Sequence, residues 1–510
     1  MIDARTAPVA ETAAGQVRGY EDKGVKVFKG VPYAASTGGP NRFKPPRPRE
    51  PWSGVRDATA YGPKCPQLTF HGMLEEEAVS LPDEAMSEDC LSLNVWTPAL
   101  DGARRPVMVW FHGGMFAFGS GAGGRYDGVN LCRRRDVVLV TVNHRINLFG
   151  YLYLAELLGE DYAQSGDAGM LDCVAALQWV RDNIAGFGGD PGNVTIFGES
   201  GGGAKASTLM AMPAAKGLFH RAICQSGVAI RLVPAPAAAG FARGFAEAAG
   251  LTPERARELL DLPVDRLLAA LGAMGIAGVF GLAPVVDGQV LPRDPFFPDA
   301  PAISADVPMI LGGNETEITF MPGWPLEGLD EAGAKAQLAG YTRLGEAEVH
   351  KLFELYRSEH PGKDPTYLCQ LIASDWWLAD DTVAAAERKA ALGAAPAYVY
   401  HFNKQSPARG GKLRAIHTLE IPYVFDNLHL AEVLTGPATP DNQALADLMS
   451  EVWTTFARTG APTGPGLPPW PAYTPGERKV MVFGDEVRIA ADPAPRLREA
   501  IASARRAQAA

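Results

Sequence analysis

The stretch that decides the fold is Val194-Thr195-Ile196-Phe197-Gly198-Glu199-Ser200-Gly201-Gly202-Gly203. An apolar run rich in β-branched residues ends in Gly-x-Ser-x-Gly, and small or helix-favouring residues follow. This order predicts a buried strand, a sharp turn and a helix. Such a turn exposes the Ser200 hydroxyl at a helix N-terminus, where the helix dipole favours an anion. Ser200 is therefore a candidate nucleophile; a flexible Gly-Ser turn is the alternative, because the chain has 56 glycines.

The composition is that of a large globular protein. Of the 510 residues, 47% are hydrophobic and 21% are charged, which is enough apolar material for an extensive core. Length alone favours about three domains. Strand and helix patterns nevertheless alternate from end to end, so we predict one α/β domain over residues 1–510. The net charge of −11 argues against nucleic acid or an anionic membrane surface as a partner.

The N-terminal residues carry no recognisable secretion signal. Residues 1–15 include Asp3, Arg5 and Glu11, and they contain no apolar core of the kind that a signal peptide needs. No apolar stretch is long enough for a membrane span. We therefore expect a cytoplasmic protein; a secreted or periplasmic location stays open for a chain whose signal has been removed.

The cysteines show no metal-binding pattern. None of the six forms a Cys-x-x-Cys pair or a zinc-like spacing with histidine, so we expect no metal site. A serine nucleophile with a histidine base needs no cofactor, so we expect none. Cys65 and Cys90 are close enough in sequence for a local disulfide. Six reduced thiols are the alternative.

Strands and helices alternate on both sides of the Ser200 turn. Apolar runs predict strands at 107–111 and 137–142, and residues 168–184 carry apolar side chains at helical spacing. The unit 137–203 is thus strand, helix, strand, which is typical of a parallel sheet. Further strands are predicted at 90–96, 222–226, 308–312, 397–402 and 480–483, with an edge hairpin within 14–35 and irregular loops over 36–88.

Two long tracts, about 232–300 and 323–393, are predicted to be mainly helical insertions. They are too long to be loops, and they show no strand pattern of their own. Ligands of open α/β folds bind at the carboxyl edge of the sheet. We therefore predict that the insertions cover that edge and form a gorge or lid.

A serine hydroxyl needs a base to take its proton, so a histidine should approach Ser200. After this kind of turn the chain order is serine, acid, histidine. His417 follows a basic loop and precedes an apolar segment, as expected for the base. Glu315 and Glu317 both follow the strand near 308–311, and either could orient the imidazole. The residues alone do not choose between them, and solvated loop carboxylates are the alternative.

A loop rich in small residues follows the strand 107–111. Its sequence, His112-Gly113-Gly114-Met115, predicts backbone N–H groups aimed at a developing oxyanion. The N–H of Gly201, after the nucleophile, would complete the set. His112 itself is expected to be structural.

The ordered motifs resemble those of the type-B carboxylesterases, in the carboxylesterase/cholinesterase branch of the α/β-hydrolases, and among these the bacterial p-nitrobenzyl-esterase-like members. The resemblance implies an α/β-hydrolase fold, with a large, mostly parallel central sheet flanked by helices and helical insertions over the active site. It also implies hydrolysis of carboxylic esters through an acyl-enzyme intermediate. The matching stretches are 28–34, 88–95, the loop 112–115, 142–145, 176–184, 187–191, 197–200 and 460–462.

The resemblance assigns roles residue by residue. It implies Ser200 as the nucleophile, His417 as the base and Glu317, rather than Glu315, as the acid. The oxyanion donors would be the N–H groups of Gly114, Met115 and Gly201. Polar residues beside this triad would be Glu199 and Ser226, and the disulfide would join Cys65 and Cys90.

Several residues depart from the family pattern. Met115 stands where glycine or alanine is usual and should narrow the pocket, and Gly201 replaces the usual alanine. Cys173 stands where glutamine is common, and His144 where tyrosine is common. These departures bear on the shape of the pocket and on stability rather than on the chemistry.

The expected partner is a small apolar or aromatic ester, bound by a monomer or a weak homo-oligomer. The candidate pocket residues are Phe116, Phe118, Trp376 and Trp377. One alternative is a carbamate or amide hydrolase that uses the same triad. The other is a non-catalytic cholinesterase-like binding protein, but such proteins usually lose the serine or histidine that this chain keeps.

Overall fold

A computed structural model describes residues 7–69 and 84–509 of the protein, and sixteen strands lie within them. In chain order they are β1 (Val9–Thr12), β2 (Gly15–Arg18), β3 (Tyr20–Asp22), β4 (Val25–Pro32), β5 (Val55–Asp57), β6 (Ser92–Thr97), β7 (Arg105–Phe111), β8 (Val138–Val142), β9 (Gly189–Glu199), β10 (Arg221–Gln225), β11 (Val233–Pro234), β12 (Val285–Val286), β13 (Met309–Asn314), β14 (Ala397–Phe402), β15 (Lys479–Phe483) and β16 (Arg488–Ala491).

The main sheet has eleven strands in the order β16-β15-β14-β13-β10-β9-β7-β8-β6-β4-β3. The strands from β15 to β8 in that order pair in parallel, and both edges of the sheet pair antiparallel. In the register of β9, β10 and β13, Glu199 lies beside Gln225 and Gln225 beside Gly312. Because these strands are parallel and end at the same edge of the sheet, the residues that follow them lie side by side.

The helices flank the sheet and fill the two long tracts. The α-helices are Val129–Arg135, Asn147–Tyr151, Ala155–Leu158, Ala168–Asn183, Gly201–Leu209, Ala235–Ala248, Val264–Ala273, Gly275–Phe280, Glu331–Thr342, Glu346–Glu359, Pro365–Ser374, Asp380–Leu392, Ile421–Val424, Glu432–Thr435, Pro440–Thr459 and Pro495–Ala509. A π-helical turn, Asp375–Ala379, joins two of them.

Both faces of the sheet are buried, as the continuous apolar runs of its central strands require. Every residue of β7 is buried, and successive side chains point to opposite faces. Val109 belongs to the apolar cluster that includes residues of the helix Ala168–Asn183. Trp110 belongs to the cluster that includes residues of the helix Pro440–Thr459. The sheet is therefore the middle layer between helices.

Two details of the predicted elements differ from the structure. The tract 232–300 contains two short strands, because β11 pairs with β12 in a two-stranded parallel sheet. The N-terminal hairpin at the edge of the main sheet is β3 with β4, whereas β1, β2 and β5 form a separate three-stranded sheet. Such short strands carry too few residues to show a period of two.

The cysteine pair lies in the core beside the sheet. Cys65 and Cys90 are both buried free thiols, so the disulfide implied by the resemblance is not formed in this structure. A hydrogen bond between the two thiols, together with burial, raises the pKa of Cys90 well above its usual value. The two side chains are thus neighbours, as a pairing would require.

In the described part of the chain, no helix combines the length and the apolarity needed to cross a bilayer.

Candidate active site

Ser200 lies at the turn between β9 and the helix Gly201–Leu209, with φ of 55° and ψ of −124°. This left-handed conformation is unfavourable for a residue with a side chain and is typical of functional turns. A Cβ on Gly202 would lie 2.0 Å from the Phe111 carbonyl oxygen, so the turn requires glycine there. The Ser200 N–H donates to the Gln225 carbonyl at 2.8 Å. These contacts hold Ser200, half-buried, at the carboxyl edge of the sheet.

His417 and Glu317 are joined directly. The distance from His417 Nδ1 to Glu317 Oε2 is 2.6 Å, and both side chains are only 2% exposed. The other carboxylate oxygen accepts the Asn314 N–H at 2.6 Å. Asn314 Nδ2 also donates to the Ile416 carbonyl at 2.8 Å, which ties the loop after β13 to the loop of His417. The pair is therefore held by backbone contacts on both sides.

Glu315 points elsewhere. Its Oε2 accepts hydrogen bonds from the Tyr367 hydroxyl at 2.6 Å and from Gln405 Nε2 at 2.9 Å. Of the two carboxylates that the sequence left open, the structure brings Glu317 to the imidazole.

A second carboxylate faces the other nitrogen of the ring. His417 Nε2 lies 3.1 Å from Glu199 Oε1, and the Glu199 side chain is also 2% exposed. Burial alone would lower the pKa of His417, but the charges of Glu199 and Glu317 outweigh it and raise that pKa to about 9. The imidazole is consequently a stronger base than an ordinary histidine.

The loop after β7 lies against the Ser200 turn. Gly114 and Met115 both have positive φ, 82° and 53°. A Cβ on Gly201 would lie 2.0 Å from the Met115 carbonyl oxygen, so the loop and the helix N-terminus are in direct contact. This contact brings together the three residues whose N–H groups the resemblance assigns to the oxyanion.

The four predicted pocket residues lie in different surroundings. The Trp377 ring is 5.1 Å from the His417 ring, centroid to centroid, and is presented by the π-helical turn. Phe118 is half-buried and meets Phe280 edge-on. Phe116 is buried against Tyr151, and Trp376 is a partly buried member of the apolar cluster around the helix Pro365–Ser374.

Ser226 follows β10 and is buried beside the turn. Its N–H donates to the Gly312 carbonyl at 2.8 Å, and its φ is 47°. In the register of β9 and β10, Ser226 thus lies next to Ser200, just beyond the ends of the two strands.

Two residues near the site were missed in the sequence. The Phe320 ring lies 5.1 Å from that of His417, and Lys205 Nζ donates to two carbonyls of the loop after β7. Phe320 shares a single helical turn with Glu317, a spacing that the sequence displays. Lys205 is a lone charge among small residues, four positions after Gly201 on the same helix face.

Acidic, histidine and cysteine side chains of the described residues form no group of three or more that could hold a metal ion.

A parallel sheet with a nucleophile turn at its carboxyl edge, followed by an acid and then a histidine, is the architecture of an α/β-hydrolase. The chain belongs to the carboxylesterase family, whose model matches residues 6–499. It hydrolyses carboxylic esters as a serine esterase.

Individual relatives cover almost the full chain. It is 35% identical to the para-nitrobenzyl esterase of Bacillus subtilis over 496 residues, which span 96% of this chain and 97% of that protein. The phenmedipham hydrolase of Pseudarthrobacter oxydans is 33% identical over 94% of this chain and 96% of its own. The crystal structure of the Geobacillus stearothermophilus carboxylesterase EST55 superposes with a TM-score of 0.83 at 38% identity, covering 96% of this chain and 99% of that one.

Proposed function

We propose that ester hydrolysis in this protein runs through Ser200, His417 and Glu317 as a catalytic triad. The observation that carries the proposal is the 2.6 Å contact between His417 Nδ1 and Glu317 Oε2 beside the Ser200 turn. A carboxylate in that place holds the imidazole in one tautomer and stabilises its cation. That leaves Nε2 as the atom that exchanges protons with the substrate and with Ser200.

The reaction has two half-steps. Ser200 Oγ attacks the ester carbonyl carbon while His417 takes the hydroxyl proton, and the carbonyl oxygen becomes an anion. The N–H groups of Gly114, Met115 and Gly201 stabilise that anion. His417 then gives the proton to the departing alcohol, the acyl group stays on Ser200, and a water molecule repeats the steps to release the acid.

We infer an apolar or aromatic ester as the substrate. The rings of Trp377 and Phe320 each lie 5.1 Å from that of His417, so apolar surface stands next to the atoms that react. Apolar walls with a few placed polar groups are typical of small-molecule sites. Phe118 follows the loop of the proposed oxyanion donors, and its ring packs against Gly114, where a Cβ would lie 2.7 Å from the ring atom Cδ2.

The triad is tested by two comparisons on p-nitrophenyl acetate. Ser200→Ala should retain only the residual rate that the oxyanion donors and binding provide, about 10³–10⁴ above the uncatalysed reaction. Near-normal turnover by this variant would remove Ser200 as the nucleophile. Glu317→Gln should reduce kcat far more than the matched Glu315→Gln, because Glu315 contacts Tyr367 rather than the imidazole. Equal small losses would place the acid elsewhere.

The substrate class is tested with a panel of esters that varies the acyl and alcohol groups. We expect kcat/KM to rise with apolar area near the scissile bond, and to fall when Trp377 is replaced by alanine. Phenmedipham belongs in the panel because one relative is a hydrolase of that compound. Turnover of phenmedipham above that of all esters would favour the carbamate alternative.

A further inference from the structure

Lys205 is a fully buried lysine behind the loop that carries the proposed oxyanion donors. It lies on the helix Gly201–Leu209, and its side chain is 0% exposed. Nζ donates to the His112 carbonyl at 3.0 Å and to the Met115 carbonyl at 2.8 Å. These two carbonyls stand at either end of the segment that includes Gly114. One side-chain amine therefore contacts both ends of the loop.

Burial disfavours the ammonium form of Lys205, whereas the negative charge of Glu199 favours it. The ring of Phe116 lies 5.4 Å from Nζ, and the ring of His112, the first residue of the loop, stacks on that of His144. Burial lowers the pKa of both histidines, that of His144 to about 3, so both rings are neutral. Burial also lowers the pKa of Lys205 to about 7. Either protonation state of an amine has two N–H groups to donate, so both contacts can be made with or without the charge.

The loop needs a tether at Met115. That residue has φ of 53°. This backbone conformation is costly for any residue other than glycine, and it persists only where the surrounding structure enforces it. Its own side chain is 39% exposed, so burial of the thioether does not fix the conformation. The contact from Lys205 to the Met115 carbonyl acts on the backbone itself.

Gly201 makes this contact possible. A Cβ at that position would lie 2.0 Å from the Met115 carbonyl oxygen and 2.5 Å from the carbonyl carbon. The carbonyl occupies the space that a larger residue would take, and from there it reaches Nζ of Lys205 one helical turn further on. The glycine and the lysine therefore act on the same atom.

We propose that Lys205 is a positioning residue for catalysis, which fixes the loop 112–115 so that the N–H groups of Gly114 and Met115 point at the oxyanion. The proposal rests on the function proposed above for these two donors. It predicts that Lys205 matters for the transition state, where the oxyanion exists, and not for binding of the neutral substrate.

The test compares Lys205→Met with the wild type. Methionine has a similar length and fills the space without donating. Misplacement of a reacting group by roughly 1 Å reduces the rate by about 10². We therefore expect kcat/KM to fall by about 10²-fold, mostly through kcat.

Inhibition by a trifluoromethyl ketone distinguishes a positioning role of Lys205 from general damage to the active site. Ser200 Oγ adds to its carbonyl carbon, the proton goes to His417, and the ketone oxygen becomes an oxyanion held by the loop. Its Ki should rise by the same factor as kcat/KM falls, whereas the Ki of an ether of matched shape, which forms no oxyanion, should stay within about twofold. Equal weakening of both inhibitors, or an unchanged ketone Ki, overturns the proposal.

Lys389 offers a matched control. It is also fully buried and donates to two backbone carbonyls, Ser304 at 2.9 Å and Ala305 at 2.8 Å, away from the active site. Lys389→Met should lower the melting temperature while leaving the ketone-to-ether Ki ratio at the wild-type value. A ratio that changes as much in Lys389→Met as in Lys205→Met would reduce Lys205 to a stability role.

Two further experiments cover a variant that does not fold and a failure of the underlying triad. Where Lys205→Met yields no folded protein, Lys205→Gln takes its place, because the amide keeps the position polar; a selective loss of ketone affinity supports the proposal and an unchanged ratio overturns it. Ser200→Ala tests the underlying function separately. Ketone affinity that does not depend on Ser200 refutes the proposed triad, whatever the Lys205 variants show.

Discussion

Replacing Gly201 by alanine perturbs the point where the nucleophile turn meets the loop 112–115. The added Cβ would lie 2.0 Å from the Met115 carbonyl oxygen, whereas a Cβ essentially never approaches another atom closer than 3.0 Å. The atoms in the way belong to backbone, so no side chain can rotate to relieve the contact. The carbonyl must move by about 1 Å for the alanine to fit.

The size of the effect follows from that displacement. Moving the Met115 peptide moves the neighbouring N–H groups, and a misplacement of about 1 Å reduces the rate by about 10². This factor corresponds to about 2.7 kcal/mol of lost transition-state stabilisation. Because Ser200, His417 and Glu317 are not displaced directly, we expect Ser200 to remain accessible to a phosphonylating reagent.

The assay measures kcat/KM on p-nitrophenyl butyrate, normalised to the number of sites titrated by an organophosphate. Gly19→Ala is the control, because its Cβ would lie 2.3 Å from the Val27 carbonyl in the β3–β4 region at the sheet edge. That variant should lose stability and keep its normalised rate. A normalised rate for Gly201→Ala within about threefold of the wild type, against the 10² expected, would refute the account of the loop contact.

Two further predictions concern groups that surround the reacting atoms. Glu199→Gln removes one of the two charges that raise the pKa of His417. The pH at which kcat/KM reaches half of its maximum should therefore move from about 9 to a lower value. A pH profile measured between pH 6 and 10 that does not move contradicts this prediction. Met115→Ala keeps the backbone N–H but removes an exposed thioether, so the ratio of kcat/KM for a tert-butyl ester to that for an n-butyl ester should rise. Since the side chain is 39% exposed, the loss of stability should fall below the 2–5 kcal/mol typical of buried methionine, and an unchanged ratio would show that Met115 does not limit substrate size.

The fold was predictable wherever strands are long and fully buried. The segments 107–111, 138–142 and 194–197, which lie in β7, β8 and β9, are largely apolar and buried, and the helix Ala168–Asn183 shows its period over sixteen residues. The pair β11 and β12 could not be predicted, because two-residue strands exist only through their partner. The order of strands across the sheet likewise depends on pairings between distant residues.

The candidate site was predictable in its residue types but not in its contacts. The motif around Ser200 and the order of acid and histidine pointed to the proposed nucleophile and base, and the resemblance favoured Glu317 over Glu315. The resemblance implied that Glu199 lies beside the triad, but no pattern in the chain indicates that its carboxylate faces Nε2, because that contact depends on where the loop of His417 folds back. The contacts of Lys205 with two carbonyls were hidden for the same reason.

In the proposed mechanism, the two carboxylates around His417 have opposite consequences for the two proton transfers. A raised pKa makes the imidazole a stronger acceptor for the Ser200 proton, but it leaves a smaller fraction of the free enzyme with a neutral imidazole at pH 7. The same shift makes the imidazolium a weaker acid toward the departing alcohol. Esters with good leaving groups need little protonation and benefit from the basicity, whereas alkyl esters need the proton. Glu199→Gln should therefore favour alkyl esters relative to p-nitrophenyl esters at neutral pH. This shift in selectivity should follow the pKa of the leaving alcohol, whereas a change in pocket shape alone would produce no such correlation.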